Sequence, residues 1–265
     1  MSVILHISDP HFGTEQAPVV QALFALAQQQ RPHWVVLSGD ITQRARPAQF
    51  AAARAFIEQL GVPVLAIPGN HDIPLFNLWQ RLRRPYAQHV AAFGADLEPV
   101  HSGPDLMLLG VNTTRAWRHK NGEVSRAQIR RVAQQLATAT PAQLRVVVVH
   151  QPVAVTLAAD VPHLLRGSAS ALASWAAAGA DLVLGGHIHL PYVTALPGHA
   201  RPLWAVQAGT SVSRRVRPGV PNSVNLLRWG ADAVPGCCAI EQWDFSAAES
   251  SFLCAKTTEV SPERA

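Results

Sequence analysis

Cysteine and long apolar runs are scarce in this sequence, and both shortages narrow the class of protein that it can encode. Its 265 residues include three cysteines, Cys237, Cys238 and Cys254, with no Cys-x-x-Cys spacing. An odd and low number favours a reduced compartment over a disulfide-stapled domain. No apolar run reaches the roughly 18 residues of a membrane-spanning helix, and the start of the chain, MSVILHIS, resembles no secretory signal. We therefore expect a soluble, cytoplasmic protein without a membrane span.

Charged side chains are also few, at 15% of residues, and the formal net charge is +5 with neutral histidine. The arginines are spread along the chain, and no motif interleaves basic with aromatic residues. This pattern supports an anionic substrate weakly and argues against nucleic acid as a partner. Hydrophobic residues make up 48% of the chain, enough for one large core. We expect a single domain over 1–265, with about the last ten residues frayed.

Apolar, strand-like segments alternate with helical ones through most of the chain. The first three are a strand in SVILHIS (2–8), a helix in APVVQALFALAQQ (17–29) and a strand in HWVVLSGD (33–40). A helix is predicted over 47–60, because Pro47 suits its first turn and Gly61 follows its end. Ser125 is the predicted N-cap of a later helix. The last strand-like segments follow one another closely and predict antiparallel pairing, so we expect an α/β protein with two mixed sheets.

Five of the apolar strand-like segments end in side chains that can bind a metal. In chain order these are Asp9 and His11, then Asp40, then Asn70, His71 and Asp72, then His150, and finally His187 and His189. The carboxyl ends of parallel strands lie along one edge of a sheet, where α/β enzymes place their chemistry. Nitrogen and oxygen donors without sulfur suit Mn²⁺, Fe²⁺, Zn²⁺ or Co²⁺. Even seven ligands from this set are too many for one ion. The sequence therefore predicts two divalent metal ions about 3.5–4 Å apart that share a carboxylate.

Together these motifs resemble those of the calcineurin-like binuclear metallophosphoesterases. The matching segments, in the family's order, are DPH (9–11), GD (39–40), GNHD (69–72), VVVVHQP (146–152) and GHIH (186–189). One such motif is weak evidence, but all of them in order at strand ends are specific. The phrase GDITQ (39–43) is most similar to the class III cyclic-nucleotide phosphodiesterase and glycerophosphodiesterase branch. That branch often has two consecutive histidines at the fourth motif, whereas here Gln151 follows His150.

The resemblance implies a four-layer αββα sandwich, with two mixed sheets flanked by helices, and a role for each motif residue. The first metal would be held by Asp9, His11 and His189. The second would be held by Asn70, His150 and His187. Asp40 would bridge the two metals. His71 would contact the phosphate and assist the leaving oxygen, and Asp72 would orient His71.

Two loops carry further candidate substrate contacts. Residues 210–223 contain Arg214, Arg215 and Arg217, whose guanidinium groups match phosphate oxygens, with a solvated loop as an equal alternative. Asn112 ends a strand near the expected site, and Trp117 or His119 could line a substrate pocket. His6 is expected in the core or at the surface. The histidines without a supporting motif, all expected at the surface, are His33, His89, His101, His163 and His199.

The sequence therefore predicts a metal-dependent phosphoesterase. Its expected substrate is a small-molecule phosphodiester, such as a cyclic nucleotide or a glycerophosphodiester, and homo-oligomer formation is left open. The resemblance implies in-line attack of a hydroxide held between the metals. Two alternatives stay open: a nuclease of the same superfamily, and a non-catalytic scaffold with this fold.

Overall fold

The computed structural model describes residues 2–230 and 236–264. The described helices are α1 (Ala17–Gln30), α2 (Pro47–Leu60), α3 (Leu78–Arg83), α4 (Ala87–Phe93), α5 (Arg126–Leu136) and α6 (Ser168–Ala177). The described strands are β1 (Ser2–Ile7), β2 (Trp34–Leu37), β3 (Val64–Ala66), β4 (Val100–Ser102), β5 (Leu106–Gly110), β6 (Leu144–Val148), β7 (Leu182–Gly185), β8 (Tyr192–Ala195), β9 (Trp204–Gln207), β10 (Ser223–Trp229), β11 (Cys238–Ser246) and β12 (Ser251–Val260). Short 3-10 turns cover Asn70–Asp72 and Ala158–His163.

Helix ends follow the signals in the sequence. Helix α2 begins at Pro47 and ends at Leu60, just before Gly61, as predicted. The Ser125 side chain accepts a hydrogen bond from the Gln128 N–H, which confirms the predicted N-cap of α5. Among the described residues, the helices are all too short or too polar to cross a lipid bilayer.

The strands form two six-stranded sheets, each partly parallel. The order in the first sheet is β12-β11-β10-β1-β2-β3, and the order in the second is β4-β5-β6-β7-β9-β8. Strands β1, β2 and β3 are parallel, as are β5, β6, β7 and β9. The expected antiparallel pairing of the late segments is confirmed for β10 and β11 and only in part for β9. The chain reverses at β8 and then returns beside β7, so β9 is parallel to β7 and antiparallel only to β8.

The two sheets pack face to face, and helices cover their outer faces. Between the sheets, Ile4 and Val36 of the first pack in one buried cluster with Leu108 and Val146 of the second. Outside the first sheet lie residues of α1 and α2, and outside the second lie residues of α5 and α6. The predicted sandwich of two mixed sheets flanked by helices is confirmed.

The C-terminal segment is more ordered than the sequence predicts. Strand β12 pairs with β11 as far as Val260, which is buried, so it occupies half of the segment expected to fray. Beyond the strand, the Arg264 guanidinium contacts the Asp181 carboxylate at 3.0 Å. Pairing along the sheet edge supplies backbone hydrogen bonds that composition does not reveal. The assignment of 1–265 to one domain stays a prediction.

Candidate metal centre

The loops that follow β1 and β2 run side by side. The Asp9 N–H donates to the Gly39 carbonyl at 3.2 Å, and the His11 N–H donates to the Asp40 carbonyl at 3.1 Å. These bonds continue the parallel pairing of the two strands past their ends. The side chains of Asp9, His11 and Asp40 are thereby brought to one point at the carboxyl edge of the first sheet.

Five of the seven predicted ligands have left-handed backbone conformations. They are Asp9, His11, Asp40, His187 and His189, with φ between 43° and 75°. Each such conformation costs about 1–2 kcal/mol for a residue with a β-carbon. A strain of this kind persists where the surrounding structure fixes the backbone, and it is concentrated at functional sites.

The second sheet delivers its ligands directly against the first. The His150 Nδ1 donates to the Ser38 carbonyl at 2.8 Å, and the His187 N–H donates to the Asp9 Oδ2 at 2.9 Å. Glycine permits close contacts at two points, between the sheets at Gly186 and between two loops of the first sheet at Gly69. A β-carbon on Gly186 would lie 1.8 Å from the Ser8 Oγ, and one on Gly69 would lie 1.9 Å from the Asp40 nitrogen.

One group of ligand atoms comes from Asp9, His11 and His189, and these atoms all lie within 4.8 Å of one another. The Nε2 atoms of the two histidines are 3.3 Å apart. The His189 Nδ1 lies 2.5 Å from the Arg215 carbonyl, which can only accept. That bond therefore places a proton on Nδ1 and directs the His189 Nε2 toward Asp9, whose Oδ1 is 3.3 Å away.

A second group comes from Asp40, His150 and His187, again within 4.8 Å. The Asn70 Oδ1 lies 3.3 Å from the His150 Nε2 and joins this group. The His150 Nδ1 is occupied by the Ser38 carbonyl, so the Nε2 atom faces the group.

Asp40 lies between the two groups. Its Oδ1 is 3.2 Å from the His150 Nε2, and its Oδ2 is 3.8 Å from the His11 Nε2. The His71 backbone N–H donates to the same Oδ1 at 2.8 Å, which fixes the carboxylate orientation. One oxygen is thus presented to each group, the geometry required of a shared ligand.

Both groups fit a divalent cation. Each contains a buried polar atom without a hydrogen-bond partner: the Asp9 Oδ1 in the first and the His187 Nδ1 in the second. A native protein rarely leaves such atoms unpaired, and an ion is one of the partners that explains them. The donors are nitrogen and oxygen only, which suits Mn²⁺, Fe²⁺, Zn²⁺ and Co²⁺.

The protonation states agree with this fit. Burial lowers the pKa of His11 and of His187 to about 3, so both rings are neutral, the form that binds metals. Burial opposes the ionised form of Asp40, but His150, His71 and His11 together outweigh it and hold the Asp40 pKa well below its usual range. Burial likewise opposes a charged His150, yet the Asp40 carboxylate raises the His150 pKa to about 9. The carboxylates at this edge therefore attract positive charge, which a bound metal supplies.

His71 lines a cavity of about 250 Å³ beside the first group. Its Nδ1 lies 3.0 Å from the Gln43 carbonyl, so Nδ1 carries a proton and Nε2 is left for other partners. The Arg215 guanidinium contacts that Nε2 at 3.1 Å and the Gln43 side chain at 3.0 Å. Arg44 and Lys120 also line this cavity and add positive charge.

Asp72 does not orient His71, contrary to the prediction. Its buried carboxylate accepts from the backbone N–H groups of Gly69, Ile41 and Thr42 at 2.8–3.0 Å. Burial first, and the nearby Asp40 charge second, raise the Asp72 pKa to about 7 against these hydrogen bonds. Asp72 therefore ties the loop after β3 to the loop after β2, and a backbone carbonyl orients His71 instead. The Gly-Asn-His-Asp motif does not reveal the group that orients His71, because Gln43, whose carbonyl contacts the ring, lies outside the motif.

The predicted substrate contacts divide into two sets. Arg215 lines the His71 cavity, and Arg217 lines a second cavity of about 270 Å³ beside His187 and His189. Arg217 is held there by the Asp160 carboxylate at 2.9 Å. Arg214, in contrast, is exposed.

Asn112 lies away from both of these cavities. Its Oδ1 accepts from the Thr114 N–H and hydroxyl, and the residue lines a separate cavity with Trp117. It lines neither of the cavities beside the candidate metal ligands, and its contact with a substrate stays a prediction. Asn112 follows β5, which pairs with the outer side of β6. It therefore lies one strand further from the centre of the sheet than the strands that carry the candidate ligands.

Several residues near the site escaped sequence reasoning. His163, expected at the surface, is half-buried, and its Nδ1 lies 3.0 Å from the His187 Nε2. The Gln43 carbonyl contacts His71, and no motif pointed to it. His119 lines the same cavity; it is one of the two residues, with Trp117, that the sequence offers as a pocket-lining side chain in that loop. His163 follows Asp160 in the 3-10 turn before α6, and no spacing links it to the Gly-His-x-His motif.

A family model described as calcineurin-like phosphoesterase matches residues 2–191. These residues include every predicted ligand and more than half of the chain. The protein therefore belongs to the calcineurin-like phosphoesterase family, and the resemblance read from its motifs is confirmed.

Individual relatives give a consistent but partial comparison. A cAMP/cGMP dual specificity phosphodiesterase of Mycobacterium tuberculosis is 27% identical over 202 residues, 71% of this chain and 61% of that protein. A glycerophosphodiester phosphodiesterase of Enterobacter lignolyticus is 39% identical over 83 residues, 26% of this chain and 29% of that protein. The matches thus span less than two thirds of these curated relatives. A dimetal phosphatase from Danio rerio has a similar fold, with a TM-score of 0.69 at 14% identity over 99% of both chains.

Proposed function

We propose that this protein hydrolyses small-molecule phosphodiesters with the help of two divalent metal ions. The observation that carries the proposal is the convergence of two buried ligand groups on the two oxygens of one carboxylate, Asp40. Family membership and the phosphodiesterase relatives support this class of reaction. A cytoplasmic location and homo-oligomer formation stay predictions.

In this proposal each ligand group holds one metal. The first metal is bound by Asp9, His11 and His189, the second by Asn70, His150 and His187, and Asp40 is shared. Two such ions supply Lewis-acid stabilisation of phosphoryl oxygens and activation of water. Mn²⁺, Fe²⁺, Zn²⁺ and Co²⁺ are the candidates, because the donor set contains no sulfur.

His71 and Arg215 perform the remaining chemistry. The Gln43 carbonyl holds the Nδ1 proton of His71 and so presents Nε2 to the cavity. A protonated Nε2 donates to the leaving alkoxide as the ester bond breaks. In the structure the Arg215 guanidinium donates to the unprotonated Nε2 at 3.1 Å; in the reaction it pairs instead with a phosphate oxygen, which keeps the ester within reach and leaves Nε2 free to carry the proton that it donates.

The cavity supports a small substrate. Its volume of about 250 Å³ is at the lower end of ligand pockets. Arg44, Lys120 and Arg215 around it suit an anion, and Ile73 and Leu75 suit the apolar part of an ester. A cyclic nucleotide or a glycerophosphodiester meets this description.

Hydrolysis of bis-p-nitrophenyl phosphate tests the proposal. Protein stripped of metal should be inactive, and Mn²⁺ should restore turnover. A panel of cAMP, a glycerophosphodiester and p-nitrophenyl phosphate then compares diesters with a monoester. Metal-loaded protein that turns over no aryl phosphate contradicts the proposal.

Two adjacent arginines provide a matched pair for the substrate contact. Arg215→Ala should lower kcat/KM by about 10–100-fold, because a charge-assisted hydrogen bond contributes about 1.5–3 kcal/mol. Arg214→Ala, an exposed neighbour, should leave kcat/KM near the wild-type value. Equal effects of the two substitutions would assign Arg215 no substrate contact.

A further inference from the structure

Four large apolar side chains of one short segment are exposed to solvent. Phe76 is 80% exposed, Leu78 66%, Trp79 70% and Leu82 74%. Apolar residues exposed singly are ordinary, but a contiguous set on a surface marks an interaction site. Leu78 and Leu82 are four positions apart on α3, so they lie on the same face of the helix.

Trp117, which is 73% exposed, extends the same patch. Leu82 and Trp117 border one open cavity of about 700 Å³. The two segments are also tied together, since the Arg81 guanidinium donates to the Arg118 carbonyl at 2.8 Å. We call this set the apolar surface; its members are Phe76, Leu78, Trp79, Leu82 and Trp117.

Positive charge borders the apolar surface, and negative charge is absent from both segments that form it. No Asp or Glu occurs in residues 73–95 or 106–122. The Arg83 guanidinium lies 4.8 Å from the centre of the Trp79 ring, and the Arg44 guanidinium lies 5.6 Å from the centre of the Phe76 ring. Arg84 is exposed next to Arg83. The Glu98 carboxylate borders the same cavity as Leu82 and Trp117, but Arg131 pairs with it. A partner for this surface is therefore expected to be apolar at its centre and anionic around it.

We propose that the apolar surface and its arginines bind the headgroup region of an anionic lipid bilayer. Tryptophan, phenylalanine and leucine insert at the boundary between headgroups and acyl chains, and arginines pair with the phosphates above them. The contact is peripheral, with the side chains of α3 entering the membrane surface and the sandwich remaining in water.

A second copy of this chain is a poorer occupant. In a two-fold contact the surface meets itself, so Arg83 and Arg84 would face the same arginines of the other copy. The acid-free segments offer no carboxylate to pair with them. Like charges across an interface disfavour association, whereas anionic headgroups supply the opposite charge.

The surface adjoins the cavity proposed for the substrate. Ile73 and Leu75, directly before Phe76, line that cavity together with His71. Membrane contact at the apolar surface therefore brings the bilayer close to the wall of the cavity that Ile73 and Leu75 form. Vesicle binding is nevertheless independent of catalysis and can be measured on protein without turnover.

Co-sedimentation of the full chain with vesicles tests the proposal. Vesicles of phosphatidylcholine mixed with phosphatidylglycerol should bind the protein, vesicles of phosphatidylcholine alone should bind it much less, and added salt should weaken the binding. The triple substitution Phe76→Ser, Trp79→Ser and Leu82→Ser should lower partitioning at least tenfold. Arg83→Gln should lower it about fivefold, the effect of one basic residue near an anionic surface.

Matched controls separate the surface from general hydrophobicity. Leu253→Ser and Val100→Ser change apolar residues that are 48% and 46% exposed elsewhere, and should leave vesicle binding unchanged. Circular dichroism and thermal unfolding check that the triple variant is folded. Hydrolysis of a soluble aryl phosphate by that variant should be unchanged, which separates this proposal from the proposed reaction.

A spectroscopic measurement locates the contact. Brominated lipids should quench tryptophan fluorescence on binding, and Trp79→Phe should remove a large part of that quenching. Equal binding to neutral and anionic vesicles, or no binding to either, would overturn the proposal. So would a dimer in light scattering that the triple substitution dissociates, because the surface would then be occupied by a second copy.

Discussion

Histidine is completely buried both at the carboxyl edge of the sheets and in helix α4, but its partners differ. His11 and His150 lie at strand ends, each with a carboxylate oxygen within 3.8 Å. His89 lies between the rings of Phe50 and Phe93, and neither of its nitrogens has a hydrogen-bond partner. Burial therefore does not identify a metal ligand. Convergence of several donors on one point does.

The electrostatics of the two regions differ accordingly. Burial lowers the pKa of His89 to about 4 and keeps the ring neutral in apolar surroundings. His150 is just as buried, yet the charge and hydrogen bond of Asp40, with Asp9 and the Ser38 carbonyl, outweigh burial and raise the His150 pKa to about 9. One region excludes positive charge, and the other attracts it. Substitutions should therefore affect metal binding in one region and only stability in the other.

Asp40→Ala should have the largest effect, the loss of both metals and of hydrolysis. Its two oxygens face the two ligand groups, and among the described residues the two groups have no other carboxylate placed between them. Metal content by mass spectrometry and turnover of bis-p-nitrophenyl phosphate provide the measurements. A variant that retains two metals would refute the shared role.

His71→Ala should retain both metals and lower kcat about 10²–10⁴-fold. The ring contacts Gln43 and Arg215 and belongs to neither ligand group, so metal content should not change. Metal analysis and kinetics on the same preparation check both parts. Unchanged turnover would reject proton donation by His71.

His163→Ala should weaken metal binding at the second group about 10–100-fold, the usual effect of removing the partner of a ligating histidine. The His163 Nδ1 lies 3.0 Å from the His187 Nε2, so a proton shared between these two nitrogens leaves the His187 Nδ1 to face the group. Competition with a chelator measures the affinity. His199→Ala, in the loop between β8 and β9 and outside the cavities beside the ligand groups, is the control. The same affinity in both variants would show that His163 does not position His187.

His89→Leu should change acid stability and nothing at the metals. The pKa of His89 in the folded protein, about 4, lies below the ordinary value of 6.5. His89 therefore contributes its full share of stability at pH values above 6.5, and this contribution is lost as the pH falls toward 4. By linkage the loss between about pH 7 and pH 5 is about 2 kcal/mol. Urea unfolding at several pH values should therefore give a flatter profile for the variant than for wild type or His199→Leu. An identical pH profile in the variant and in wild type would show that burial does not keep His89 neutral.

Local signals predicted the parts of the fold that depend on neighbours in sequence. Helix α2 begins and ends where Pro47 and Gly61 indicate, and Ser125 caps α5. Strands β4 and β8 escaped prediction, because they are short, and β4 is largely exposed, so their apolar pattern is faint. Strand β12 depends on pairing with β11, which composition cannot reveal.

The predicted ligands follow from sequence because each one directly follows a strand, and parallel strands place their ends at one edge. The backbone then fixes the positions of Asp9, His11 and Asp40 through bonds between consecutive loops. Spacing along the chain carries this information. It carries none about His163 or Arg215, which reach the site from loops far away in sequence.

Sequence therefore determined the family and the candidate ligands, since strand ends and motif order are local properties of the chain. Tertiary structure decided which of the remaining histidines and arginines matter. His89 and His163 look alike in the sequence, but packing buries one among phenylalanines and places the other against His187. Tertiary structure also decided that Asp72 ties two loops together and that apolar residues of α3 face solvent. Contacts between distant segments form only when the two sheets pack, and no local pattern records which side chains will meet there.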